Sequence, residues 1–348
     1  MVSARRCDRD AAAGVSALTA RGTRSAIQLH ERGVAPPKQD KTMPTPPGRP
    51  DTHDFRLVVL AEVTFSCSEA VAAMYTLSPF VWREADSLGL LLRVVNRSEN
   101  AAEKVARVHY GSSHDGLHFR LTDVPVIAPG RHPDDDDSGG CEDPTLACVD
   151  GTYYVYYSGW NERRKRGELL LATGPDIEHL EKRGIALESS AAARNPKEAT
   201  IVPVRDGSWR LFFEYAHEGK SKIGIARSAD VAGPWEVEPP LFEARAGAWD
   251  CWHLSTGPIL DSNPEFPVMF YNGATEAAQW RVGWVVFDAT YTRVLARCDQ
   301  PIVLPHLKRN QDDSDIAFAA SAIETGGDIH LYYSVADQYV TRATIRRV

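Results

Sequence analysis

The chain has no apolar run approaching the roughly 18 residues that a membrane-spanning helix needs. Its six cysteines, at positions 7, 67, 141, 148, 251 and 298, include no C-x-x-C pair. Neither a zinc signature nor a compact disulfide framework can be built from them, and reduced thiols in a cytoplasmic protein are the simplest account. Acids outnumber bases, 47 to 39, for a formal net charge of −8, and no basic stripe is interleaved with aromatics. That argues against nucleic acid and against an anionic membrane as partners. Arg5, Arg6 and Arg9 open the chain without an apolar stretch behind them, so no secretory signal is read. Helical periodicity is almost absent as well.

What the chain does have is 43% apolar residues, with 8 Trp, 12 Tyr and 11 Phe, which suffices for a sizeable core in 348 residues. Residues 1–54 stand apart. They are rich in Ala, Arg, Pro and Thr, end near the Pro-dense stretch Pro44 to Pro50, and cannot bury enough apolar surface to order themselves. They read as a flexible N-terminal extension or as an over-extended start, with Met43 offering another. Residues 55–65 form the first plausible strand.

From there the chain repeats itself. Aromatic or aliphatic strands begin at residues 90, 153, 210, 268 and 329, at intervals of 63, 57, 58 and 61 residues. Each is followed, after a polar turn, by a second strand, as at Ala106–Tyr110, Glu168–Ala172 and Lys222–Ala226. Units of about 60 residues without helices mean radial repetition of small sheets, and four antiparallel strands per unit give an all-β, five-bladed β-propeller over residues 55–348. A large β-sandwich does not predict one spacing held four times.

Acids precede the aromatic strands at matching places, so a propeller would bring them to one mouth of its channel. Glu142 and Asp143, in Gly140-Cys141-Glu142-Asp143-Pro144, lead into the Asp150-Gly151 turn and its strand. Pro144 is expected to press Asp143 into extended backbone. Glu198 stands before the Asp206-Gly207 turn, equivalent to Asp143, and Asp315 lies in the Asp312-Asp313-Ser314-Asp315 run of the fifth unit. Glycosidic cleavage needs one carboxyl to protonate the leaving oxygen and another to activate water or attack, and burial beside a like charge raises the pKa of one of them. The alternative for any one of these acids is a cap on turn N–H groups. Asp134 to Asp137 lack the interspersed ligands of a Ca²⁺ loop and read as a solvated loop, so no metal or cofactor is expected. Among the tryptophans, Trp252 neighbours the predicted mouth and is the best placed to stack on a sugar, core packing being the default for each.

Gly140-Cys141-Glu142-Asp143-Pro144, Asn195-Pro196-Lys197-Glu198-Ala199, the Trp249–Pro258 segment and Tyr332-Tyr333-Ser334-Val335-Ala336-Asp337 together resemble glycoside hydrolase family 130, in that family's order, over roughly residues 78–348. The resemblance implies β-mannoside or oligosaccharide substrates and an inverting mechanism, by phosphorolysis or, less often, hydrolysis. It makes Asp143 the match to the family's general acid and Arg107 the match to a sugar-contacting arginine, with Arg93 close by. Without it, Arg107 is an ordinary strand arginine. Glu142 orients Asp143, binds a sugar hydroxyl or caps its loop. Where phosphorylases carry a basic His-Arg-Pro segment this chain has Phe213-Glu214-Tyr215, and where they carry Lys-Ile-Gly it has His253-Leu254-Ser255. A phosphate dianion needs several cations or N–H donors together, and His253 and Lys197 are the contacts left for it. The expectation is therefore inverting hydrolysis with Asp143 as acid and Glu198 as candidate base. Phosphorolysis to a sugar 1-phosphate is the alternative in chemistry, and a non-catalytic carbohydrate-binding propeller the alternative in class.

Overall fold

A computed structural model describes residues 54–98, 100, 103–305 and 314–348. The expected extension over residues 1–54 thus lies, but for Asp54, outside the described residues, as do Asp312 and Asp313. The described chain is all-β, with a single α-helical turn at Glu69–Ala72.

Its strands form six hydrogen-bonded sheets in sequence order. The first unit runs Tyr75–Arg83, Leu88–Val95, Ala106–Ser113, His118–Leu121, with Thr64–Ser66 added in parallel at its edge. The second runs Gly140–Val149, Thr152–Asn161, Arg166–Gly174, Glu181–Leu187, and the third Arg194–Pro203, Trp209–His217, Lys220–Ser228, Glu236–Glu238. Two sheets follow, together called the fourth unit: His253–Ser255 with Asn272–Ala274 and Trp280–Val282, and Ile259–Leu260 with Val268–Met269, Val285–Phe287 and Val294–Arg297. The last unit runs Ala317–Thr325, Asp328–Val335, Tyr339–Arg347, and its fourth strand is Phe55–Glu62, returned antiparallel from the other end of the described chain. The Asp150-Gly151 hairpin turn appears as read, with φ of 49° and 77° at its two residues, the left-handed pair that a two-residue turn between twisted strands requires.

The aromatic runs found in the sequence are the second strands of these units, and the packing explains why they are apolar without alternation. Successive residues of each run point into different hydrophobic clusters, one on either side of the sheet. Leu90 and Leu91 diverge in this way, as do Tyr156 and Tyr157, Phe212 and Phe213, Met269 and Phe270, and Leu331 and Tyr332. Each cluster joins neighbouring units, and one of them joins the last unit, through Ile323 and Tyr332, to Val81, Leu90 and Val94 of the first. A strand with both faces buried has no polar face to show.

At the inner end of each apolar run sits one polar residue: Arg93, Ser158, Glu214, Asn272 and Ser334. Four of these side chains, all but Glu214, link successive units. Arg93 reaches Asp143 in the second unit, Ser158 Oγ accepts from the Glu198 N–H in the third at 3.4 Å, and Ser334 Oγ accepts from the Ser78 N–H in the first at 2.9 Å. Asn272 donates through Nδ2 to the carbonyls of Thr256 (2.6 Å) and Ala319 (3.0 Å) and accepts from the Ala319 N–H at 2.7 Å. The third unit is tied to the fourth by Thr200 Oγ1, which donates to the Gly257 carbonyl at 2.9 Å. The belt of hydrogen bonds returns to where it began.

Asn272 is fully buried, so Asn272→Ala leaves two carbonyls and one N–H short of a partner in a dry interior. We expect a loss of about 3 kcal/mol, read as a lower urea midpoint at unchanged slope.

Candidate active site

Asp143 sits inside the first strand of its unit rather than before it. Between the pairs Glu142↔Ser158 and Thr145↔Tyr156, two residues of that strand face one of the next, which is a β-bulge. At the bulge Asp143 takes φ of +51°, left-handed, not the extended backbone expected ahead of Pro144. The bulge overrides the proline: Asp tolerates the left-handed region, and Pro144 has no N–H for the ladder to lose.

The same bulge recurs in the neighbouring units. Register shifts fall between Leu77 and Phe80 and between Lys197 and Thr200, with Ser78 at φ +49° and Glu198 at +50°. Three consecutive units thus turn one side chain each out of the ladder at the same place. The three meet. Ser78 Oγ donates to Asp143 Oδ1 at 2.7 Å, and the Glu198 carboxyl hydrogen-bonds to Asp143. Arg93, buried to 1% exposure, donates through Nη1 to Asp143 Oδ1 at 2.8 Å and pairs through Nη2 with Glu142 Oε1 at 2.9 Å.

The electrostatics split the two carboxyls. Burial pushes Asp143 up, but the charges of Arg93 and Lys197 and the hydrogen bonds from Ser78 and Glu198 outweigh it and hold Asp143 below its ordinary value. Burial raises Glu198 well above its ordinary value, and the charges of Asp143 and Glu214 add to that, with Lys197 and Arg93 only partly offsetting them. Burial alone would favour a neutral Arg93, yet Asp143, Glu142, Glu198 and Asp337 keep the guanidinium charged. The two shifts run in opposite directions, Asp143 towards its anion and Glu198 towards its neutral acid. Those directions are the reverse of the ones that Asp143 as acid and Glu198 as base call for. Carboxyls in hydrogen-bond contact are also closer than the ~6.5–9.5 Å of an inverting acid and base.

Lys197 Nζ pairs with the buried Glu214 at 3.2 Å, and Ser221 Oγ donates to the same Glu214 oxygen at 2.8 Å. The Ser221 N–H donates to His253 Nδ1 at 2.9 Å, which leaves the His253 proton on Nε2, and the imidazole stacks on Trp280 with ring centroids 5.7 Å apart. His253 is thus linked to the carboxyl pair through Ser221, Glu214 and Lys197. Trp252 carries Lys220 Nζ 4.1 Å over one ring face, which occupies that face as a stacking platform. Asp315 pairs with Arg281 at 2.8 Å and joins the fourth unit to the last.

Arg107 is half-buried with its guanidinium 3.4 Å from Met74 Sδ. It lies directly across from Val94, so it shares that residue's face, whereas Arg93 points to the opposite face and the second unit. Of the two arginines, Arg93 is the one on the carboxylates. The acidic run is a loop exposed at Asp134 and Asp135, with Asp134 and Asp136 paired to Arg163 and Arg164, and only Asp137 is buried, against Lys182 and Tyr157. Among the described residues no group of three or more His, Cys, Asp or Glu is arranged to hold a metal ion. Ser78, Ser221 and the linking role of Glu214 were not found from the sequence. For Glu214 the signal available was its place as the polar residue closing an apolar run; the two serines carried none.

Carboxyls brought together from successive sheets of a propeller-like β fold are the residue types that cleavage of a glycosidic bond uses. The chain belongs to glycoside hydrolase family 130, enzymes acting on mannosides: the family model described as β-1,4-mannooligosaccharide phosphorylase matches residues 61–347. The 1,2-β-oligomannan phosphorylase of Thermoanaerobacter sp. (strain X514) is 26% identical over 243 residues, 68% of this chain and 77% of that protein. The β-1,2-mannobiose phosphorylase of Listeria innocua, solved with β-1,2-mannobiose, superposes with a TM-score of 0.68 at 21% identity, covering 82% of this chain and 96% of that one. A further solved structure comes from work on family 130 glycoside hydrolases that target β-1,2-mannosidic linkages in Candida mannan. It superposes with a TM-score of 0.65 at 23% identity, covering 78% and 84%.

Because Glu198 has a raised pKa in the folded chain, ionising it costs stability. The cost is absent below the ordinary glutamate value of 4.5 and grows as pH rises from there towards the folded pKa. Glu198→Gln keeps a donor for Asp143 and removes the charge. Thermal unfolding is expected to show the variant more stable than wild type at about pH 8 and indistinguishable at about pH 4, while turnover is lost.

Proposed function

We propose that this chain cleaves β-mannosides by inverting hydrolysis, with the Asp143–Glu198 pair acting as one acid. The observation that carries the proposal is the meeting of two carboxyls from successive units, Asp143 and Glu198, beside the Lys197–Glu214 pair. The proton passes from the pair to the glycosidic oxygen as the C1–O bond breaks with its electrons leaving on that oxygen. Water adds to C1 from the opposite face and gives its proton to a third carboxylate. Glu214 is our candidate for that base, replacing Glu198 in the role, since Glu198 is occupied with Asp143.

Water is favoured as nucleophile by the company around the pair. Arg93 is engaged by Asp143 and Glu142, and Lys197 by Glu214. A phosphate dianion would enter among carboxylates whose counter-charges are already paired. The relatives weigh the other way. The matching family model and both enzymes named above are phosphorylases, which favours the second reading, phosphorolysis to mannose 1-phosphate with His253 and Lys197 on the anion.

We further take residues 55–348 as one five-bladed catalytic propeller, the two sheets of the fourth unit being a single blade interrupted at Thr256–Pro258, Phe270–Tyr271 and Gly283–Trp284. A cytoplasmic setting fits the five described cysteines, all of them free.

Product analysis on β-1,2- and β-1,4-mannobiose, with and without phosphate, tests the chemistry. Free mannose at equal rates in both is expected, and mannose 1-phosphate formed only with phosphate would overturn hydrolysis. In the same assay Asp143→Asn should lower kcat by about 10²–10⁴ while mannobiose still binds.

A further inference from the structure

Ser78 occupies in the first unit the place that Asp143 and Glu198 occupy in the next two, yet it has no carboxyl to offer. It holds the same left-handed backbone, at φ +49°, immediately before Pro79. A non-glycine residue there stores of order 1–3 kcal/mol of strain, which surrounding structure must hold in place. Ser334 does so: its hydroxyl accepts from the Ser78 N–H at 2.9 Å, and both serines are buried. The consequence is a fixed direction for Ser78 Oγ, which donates to Asp143 Oδ1 at 2.7 Å, the oxygen that also receives Arg93.

We infer that Ser78, locked by Ser334, is a positioning residue whose hydroxyl, aimed at Asp143 Oδ1, favours the anion of Asp143 over that of its partner Glu198. A hydroxyl already donating to an oxygen stabilises that carboxylate's anion and competes with its protonation. The cations facing Asp143 act beside Ser78, but each is shared with another acid. Arg93 from the first unit divides its guanidinium between Asp143 and Glu142, and Lys197 from the third pairs with Glu214. Glu142, Glu198 and Glu214 are themselves acids, and Asp337, in the last unit's hairpin turn, bears on Arg93. Ser78 is a directed neutral donor on the pair, and it reaches Asp143 from a unit that contributes no acid at this position. The inference deepens the reading of the pair as a single acid and rests on it.

The test is a ¹³C-carboxyl NMR titration of Asp- and Glu-labelled enzyme without substrate, assigned with Asp143→Asn and Glu198→Gln, alongside the pH profile of kcat/KM on β-1,2-mannobiose. Two substitutions separate the hydroxyl from the backbone. Ser78→Ala removes the hydroxyl and keeps the strain, while Ser78→Gly removes the hydroxyl and relieves the strain. Both are expected to raise the lower of the pair's two apparent pKa values by about one unit and to move the acid limb of kcat/KM upward with it. A pair that titrates as in wild type in both variants would overturn the role of Ser78. A wild type that cleaves no β-mannoside would instead defeat the proposed function, and the titration of the empty enzyme would still decide the serine.

Discussion

Arg93 is the residue on which the centre of this molecule depends. Its guanidinium is buried between Glu142 and Asp143, and its own position is set by a strand packed on both faces. A buried ion pair adds little net stability over an apolar one, but removing one partner strands the other's charge in a dry interior. The arrangement therefore resists piecemeal change. Without Arg93, Asp143 would be driven to take up a proton, and the division of labour between the two carboxyls would vanish.

The same register position in each second strand does different work in each unit. In one it is the guanidinium that fixes the ionised acid; in two others it is a serine hydroxyl receiving the N–H of a bulge residue; in the fourth it is an amide holding two units together. Structural belt and reactive centre are thus one feature. The acids stand one strand over, at the bulge where the first unit carries Ser78. Precision at the centre follows, because Asp143 is held by Ser78 and Arg93 of the unit before it and meets Glu198 of the unit after it.

Much of this was legible in the sequence, for a stated reason. Strands buried on both faces must be apolar throughout, so their spacing shows directly, and Asp143 and Glu198 fall at the same step of that spacing. Pro144 misled because the local rule for a residue before proline takes no account of a bulge, which the partner strand imposes. Arg107 and Arg93 could not be ranked without knowing which face each takes, a matter of register. Ser78 carries no charge and lies 65 residues from the acid it serves, so it offers nothing for motif reading to find. Family likeness did reach the mannosides. It left the nucleophile undecided, because that turns on which cations remain unpaired.

The sheet that joins Phe55–Glu62 to Tyr339–Arg347 sets an order on the life of the chain. A ribosome makes the first of these strands well before its partner. Until then Phe55–Glu62, a run dominated by Phe, Leu and Val, has an unpaired edge in the crowded cell, where such edges recruit other chains. Closing the ring is thus the most non-local pairing in the fold, and it waits until all the units between these two strands have been made.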